Sequence, residues 1–251
     1  MAGVENRVAM VTGGGRGIGL ATANLLAERG AKVVCVARSE AELKATGHGY
    51  VVADLASPEG CEKAVQDAES NVGPIDILVC NHGLGSAHEV VIWEQEIKTW
   101  ETTMHINLDA PFYLSRLVTK GMVKRRHGRV VFTSSTAAKV AEYAGSAYNS
   151  SKAGLLGLMQ SVAEDCGEFG ITSNAVLPGW VRTEMAEKHA AAEALERDVS
   201  TEQVWQGRAA LYRAGRVATP DEVAAMIAFL ASDEASGVSG EAIRVSLGGV
   251  M

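Results

Sequence analysis

The sequence predicts a single-domain α/β fold: a doubly wound parallel sheet of about seven strands with helices on both faces. Three observations carry this reading. Short β-branched runs recur along the chain, and helix-compatible stretches with apolar spacing near 3.6 residues separate them. The strand runs are continuously apolar rather than alternating, as expected of a parallel sheet covered on both sides. The third is size: 251 residues with 47% hydrophobic content suffice for one large core, and no composition shift marks a second domain. Alternating strands and helices then imply right-handed crossovers, with ligands bound beyond the carboxyl ends of the strands.

Val8 to Thr12 reads as the first strand, and Ile18 to Arg29 as the first helix. Between them lies Thr12-Gly13-Gly14-Gly15-Arg16-Gly17-Ile18-Gly19. Glycines permit a tight turn and a close backbone approach to a pyrophosphate, whose charge is met by amides at the helix N-terminus. The strict G-x-G-x-x-G spacing is absent, and Gly13, Gly17 and Gly19 form G-x-x-x-G-x-G instead. The second strand, Lys32 to Ala37, ends at Arg38, where an NAD-specific site would offer an acid to the ribose. Ala37 leaves room, and Arg38 can pair with a 2'-phosphate, with Arg16 as a second cation. NADP(H) is therefore the favoured cofactor, with NAD(H) possible. The third strand, Tyr50 to Ala53, runs into Asp54-Leu55, whose carboxylate either holds an adenine edge or caps the helix Glu59 to Asn71. The fourth, Ile75 to Cys80, runs into Asn81-His82-Gly83, a small residue where backbone passes close to a ribose.

The fifth strand, Arg129 to Thr133, ends in Ser134-Ser135, and a helical stretch from Ser146 to Phe169 carries Tyr148 and Lys152. Four residues apart, these two share a helix face, so the Lys ammonium favours the tyrosinate and draws its acidity constant down from about 10. Such a tyrosine serves as general acid and base. The sixth strand, Thr172 to Leu177, is followed by Pro178-Gly179 and then by about 40 helix-prone residues, Trp180 to Thr219, without a strand. This excursion, 180–219, reads as a substrate lid or, alternatively, a packing or subunit-contact element. Thr219-Pro220-Asp221-Glu222 caps a helix from Pro220 to Ala231, and Ala242 to Val245 is the seventh strand.

With TGGGRGIG, NHG, Asn107, SS followed by YNSSK, and NAVLPGWVRTEM all in order, the chain resembles the short-chain dehydrogenase/reductase family over nearly its whole length. The resemblance implies a Rossmann-type fold and NAD(P)-dependent interconversion of a ketone and a secondary alcohol. It implies that Tyr148 exchanges the proton, that a Ser thirteen residues before it, Ser135 rather than Ser134, binds the substrate oxygen, and that Lys152 binds the nicotinamide ribose. Asn107 would hold a relay water. Pro178, Gly179, Val181 and Thr183 would contact the nicotinamide amide and a phosphate. The usual Asn-Asn-Ala-Gly is here Cys80-Asn81-His82-Gly83, where His82 is either a titratable group near cofactor or substrate or a passive surface residue, and the usual Val-Asp-Gly-Gly is Val245-Ser246-Leu247-Gly248-Gly249. The family's habit implies a dimer or tetramer, with the helix from Ser146 as a contact element. An apolar ketone is expected against Ala137, Ala138, Val140, Tyr143, Trp180, Met185 and Trp205.

Other classes fit poorly. The net charge is −7 with scattered basic residues, so nucleic-acid binding has no footprint; Lys124 to Arg129, the one tight cluster, reads as a solvated helix end. The six histidines, His48, His82, His88, His105, His127 and His189, form no metal-ligating spacing with one another or with paired cysteines. Ser134-Ser135 lacks the G-x-S-x-G elbow of a hydrolase. Cys35, Cys61, Cys80 and Cys166 are dispersed, and no signal or membrane-spanning run is present, which points to a soluble cytoplasmic protein. The remaining alternatives are a non-catalytic nucleotide-binding module and a nicotinamide-using lyase or epimerase.

Overall fold

A computed structural model describes residues 3–86 and 90–249; His88 lies outside them. All seven predicted strands lie in one parallel sheet of order β3-β2-β1-β4-β5-β6-β7. They are β1 Val8–Thr12, β2 Lys32–Ala37, β3 Gly49–Val52, β4 Ile77–Cys80, β5 Gly128–Thr133, β6 Ile171–Pro178 and β7 Ala242–Val245. The helices are α1 Gly17–Glu28, α2 Glu40–Ala45, α3 Pro58–Val72, α4 Ile97–Met104, α5 Ala110–Arg125, α6 Ser146–Cys166, α7 Glu184–Glu196, α8 Thr201–Ala210 and α9 Pro220–Leu230. The chain reverses its direction of sheet growth between β1 and β4, and a crevice opens there at the strands' carboxyl ends.

The strand alternation sorts side chains onto two cores. Val8 and Met10 of β1 pack with Cys61, Leu114 and Met159 of α3, α5 and α6. Ala9 and Val11 pack with Leu26 of α1 and Ile227 of α9. Both faces are thus dry, which is why these strands carry no polar alternation. The four cysteines are buried and unpaired. Burial pushes the Cys35 thiol up to about 11 and the Cys61 thiol to about 12, so they act as small apolar side chains.

In the basic cluster, Lys124 and Arg125 stand in the last turn of α5 and are exposed together with Arg126, as a solvated helix end should be. The cluster also forms a clamp at the opposite end of the sheet. Arg125 donates to the Ile75 carbonyl at 2.6 Å, and Arg129, 4% exposed, meets Asp233 at 2.9 Å. Asp233 also meets His127 at 3.2 Å and Arg7 at 3.7 Å.

The excursion after β6 is helical, as its composition predicts. Val181 pairs with Ala218 in an isolated parallel bridge that ties its two ends together. Between them α7 and α8 enclose a small apolar cluster of Ala186, Ala190, Ala194, Val204 and Trp205. Among the described residues no helix is long and apolar enough to cross a membrane.

Candidate active site

The crevice is a cleft of about 520 Å³, and every catalytic or cofactor residue selected from the sequence lines it except Gly19 and Asn107, which lie just behind its wall. The glycine turn forms its floor. Gly13 and Gly17 have φ of +63° and +54°, values an L side chain rarely adopts. Gly19 is required by proximity: a Cβ there would lie 2.1 Å from the Gly13 carbonyl oxygen. Asn81 serves the same turn, since its Nδ2 donates to the carbonyls of Thr12 at 3.3 Å and Gly13 at 3.5 Å. It is a scaffold for the cradle as well as part of its wall. Gly17 faces Thr183, whose methyl would be 3.4 Å from a Cβ, so the start of the excursion closes over the turn.

Arg38 lies exposed at the end of β2, and among the described residues no carboxylate pairs with it. Arg16 is held by Glu42 of α2 at 3.2 Å. Asp54 is exposed at the cleft; its Oδ1 accepts from the Ala56 amide at 3.1 Å, while Ser57, not Asp54, caps α3. Leu55 is buried beneath.

At the other end, β5 delivers the two serines and α6 delivers Tyr148 and Lys152. Lys152 is 5% exposed; its Nζ donates to the Thr133 carbonyl at 3.0 Å and sits 5.8 Å from the centre of the Tyr148 ring. Burial brings the ammonium down to about 8. The serines divide their work. Ser134 Oγ donates to the Lys152 carbonyl at 2.8 Å and so belongs to the scaffold. Ser135 Oγ accepts from the Ala137 amide at 3.1 Å, and its own hydrogen is engaged by nothing among the described residues. Ser135 therefore has a donor to offer into the cleft.

Asn107 is fully buried in a π-helical turn, His105–Asp109, which joins α4 to α5. Its Oδ1 accepts from the Leu84 amide at 2.7 Å, and its Nδ2 donates to the Leu84 carbonyl and to Ser151 Oγ, each at 3.1 Å. The side chain pins the Gly83 loop and α6, and its donors are engaged within the fold. His82 Nδ1 lies 2.7 Å from Thr12 Oγ1 and Nε2 is sealed from solvent. Burial first, and the nearby Lys152 charge second, bring the imidazole down to about 4, so it is neutral at physiological pH.

The expected apolar wall needs correction. Trp180 and Met185 line the cleft, but Ala137, Ala138, Val140, Tyr143 and Trp205 do not. Tyr143 is 90% exposed, and Trp205 is buried in the α7–α8 cluster with its Nε1 donating to Glu187 at 2.7 Å. In their place stand Ser86, Glu142 and His189. No pattern singles these three out, because they converge from three separate segments. Among the described residues no group of three His, Cys, Asp or Glu side chains could hold a metal ion.

Residues 13–249 match the family described as Enoyl-(Acyl carrier protein) reductase. The chain is 35% identical over 252 residues to the 3-oxoacyl-[acyl-carrier-protein] reductase FabG of Vibrio cholerae serotype O1, covering 98% of each chain. It is 32% identical over 247 residues to the D-beta-hydroxybutyrate dehydrogenase of Cupriavidus necator, covering 94% of this chain and 95% of that one. Among solved structures, a variant of actinorhodin polyketide ketoreductase with NADPH superposes with a TM-score of 0.92 over the full length of both chains, at 32% identity. Sequence, sheet order and site geometry agree that the chain belongs to the short-chain dehydrogenase/reductase family, whose members are NAD(P)-dependent oxidoreductases.

Proposed function

We propose that the protein reduces a ketone to a secondary alcohol with NADPH, Tyr148 delivering the proton and Ser135 holding the carbonyl oxygen. The observation that carries this reading is the trio at the mouth of β5 and α6: a sealed Lys152 ammonium beside the Tyr148 ring, and a Ser135 hydroxyl with its hydrogen to give.

The residues fit a dinucleotide. The cradle disfavours side chains at Gly13 and Gly17 through their left-handed backbone and at Gly19 through crowding, and a Cβ at Gly83 would crowd Lys152 Nζ at 3.3 Å. Gly15 and Ile18 complete the pyrophosphate floor, with Arg38 and Arg16 at the 2'-phosphate, Asp54 and Leu55 at the adenine, and Asn81 and Gly83 at the inner ribose. Pro178, Gly179, Val181 and Thr183 border the nicotinamide end. Bound there, the cofactor supplies the hydride. The chain's own work is to orient and to move a proton. Lys152 would hold the ribose hydroxyls and favours the tyrosinate, so that Tyr148 gives up its proton to the carbonyl oxygen more readily and takes a new one from solvent before the next turnover. Ser135 stabilises charge developing on the oxygen. Asn107 acts through position, by fixing the Gly83 loop and α6.

We read residues 1–251 as one catalytic domain, with 180–219 as the lid over substrate. The molecule is assigned to the cytoplasm on its unpaired thiols, and to a dimer or tetramer with α6 as a contact helix. The test is steady-state consumption of NADPH and NADH with a panel of cyclic ketones, wild type beside Tyr148→Phe. Turnover by the wild type, faster with NADPH and lost in the variant, is the expected result. Equal rates for the two proteins would overturn the assignment of Tyr148.

A further inference from the structure

The substrate end of the cleft contains a carboxylate that the proposed chemistry does not use. Glu142 lies six residues before Tyr148 and is partly buried in the wall, among Ser86, Trp180 and His189. Its backbone is fixed to the residue next to the catalytic tyrosine: the Glu142 amide donates to Asn149 Oδ1 at 3.2 Å, and Asn149 Nδ2 donates to the Glu142 carbonyl at 2.9 Å. The carboxylate therefore holds a set position relative to Tyr148.

Among the described residues no cation pairs with it. Arg208 contributes an attractive field but is engaged elsewhere, at 2.8 Å from Glu193 and stacked 3.9 Å from the centre of the Trp180 ring. Burial pushes the Glu142 carboxyl above the usual range, as expected of a charge left short of partners. One neighbour does satisfy it in part: Ser86 Oγ donates to Glu142 Oε2 at 3.2 Å. With its hydrogen so engaged, Ser86 turns only lone pairs to the cleft, and the carboxylate has acceptor sites to spare. A wall of two acceptors calls for a donor and repels an anion.

We infer that Glu142 and Ser86 form a donor-reading subsite, so that the preferred ketones carry a neutral hydroxyl on the side away from the carbonyl and not a carboxylate. This inference rests on the ketone-reductase reading above and names the substrate class within it. A charge-assisted hydrogen bond formed only with the donor raises kcat/KM roughly ten- to a hundredfold over an analogue that lacks it.

The experiment uses four substrates with the full-length protein and NADPH: cyclohexanone, its derivative with a hydroxyl opposite the carbonyl, the methyl ether of that derivative, and the corresponding carboxylate. Wild type should rank hydroxyl above ether by at least about tenfold and use the carboxylate least. Glu142→Gln should compress the hydroxyl-to-ether ratio and raise the carboxylate relative to the ether. A purely structural role for Glu142 would lower all four together and leave their order intact, which overturns the proposal. Turnover of plain cyclohexanone without discrimination by wild type overturns the subsite alone. No turnover of any of the four overturns the ketone-reductase reading and the subsite with it.

Discussion

Lys152 is the side chain whose function and stability pull hardest against each other. Its ammonium is lowered from 10.5 to about 8 by burial, with only the weak opposing influence of Cys80. At about 1.4 kcal/mol per pH unit, that displacement corresponds to about 3 kcal/mol of lost solvation. The folded-state value is below the unfolded one, so between pH 8 and 10.5 the unfolded chain binds the extra proton and stability rises with pH. Below pH 8 both states are protonated and the penalty stands in full. Lys152→Met keeps the apolar stem and removes the charge. It also leaves the Thr133 carbonyl without its donor at 3.0 Å, which costs about 1–2 kcal/mol. The net expectation at pH 7 is a gain of about 1–2 kcal/mol, or roughly 2–8 °C in Tm for a chain of this length. Urea titrations of both proteins at pH 7 and pH 10 measure it, and the advantage should shrink at the higher pH. Activity should fall at least about a hundredfold in the same variant, because the tyrosinate loses its partner. A Lys152→Met variant less stable than wild type at pH 7, with an unchanged pH slope, would refute the claim that the ammonium is held against its desolvation.

Three further outcomes follow from the geometry. Gly19→Ala places a methyl 2.1 Å from the Gly13 carbonyl, so the turn must shift; nicotinamide fluorescence titrations should show NADPH binding weakened at least about tenfold with the fold retained. Arg38→Ala should reduce kcat/KM for NADPH by roughly ten- to a hundredfold and leave that for NADH nearly unchanged, as paired steady-state assays would report. At the far end of the sheet, burial raises the Asp233 carboxyl, but His127, Arg129 and Arg7 outweigh it and hold the group below its ordinary value. That contribution is present above the ordinary carboxylate range and fades as pH falls through the lowered value. Asp233→Asn should destabilise the protein by about 1–2 kcal/mol at pH 7, with a smaller deficit in acid, read from urea midpoints.

Much of this was legible in the residues because it is local. The β-branched runs marked all seven strands, with ends shifted by at most two residues, and the four-residue step from Tyr148 to Lys152 fixed a shared helix face. Gly13, Gly17 and Gly19 announced a cradle although their spacing is unusual. What stayed hidden depends on chain segments meeting. Within the Lys124 to Arg129 cluster, the ties of Arg125 to the Ile75 carbonyl and of Arg129 to Asp233 involve distant elements that no local pattern announces. The family resemblance singles out Asn107, but nothing local signals the π-turn that carries it or its reach to Leu84. The cleft wall differs from the expected apolar one for a related reason: Trp205 packs within its own helix pair, and Glu142 is held at the cleft through its ties to Asn149. Composition weighs residues by type, whereas the cleft selects them by position.

On the reading proposed above, hydride from the cofactor reaches a carbonyl carbon only where Ser135 and Tyr148, supported by Lys152, hold the oxygen and supply its proton. The most direct test of that reading is to run the reduction with NADPH deuterated at the transferring carbon and to locate the label in the product. The account predicts deuterium on the carbinol carbon of a secondary alcohol, absent with Tyr148→Phe at a cofactor affinity close to wild type. Cofactor oxidation that leaves the product unlabelled, or equal labelling by the variant, would contradict it.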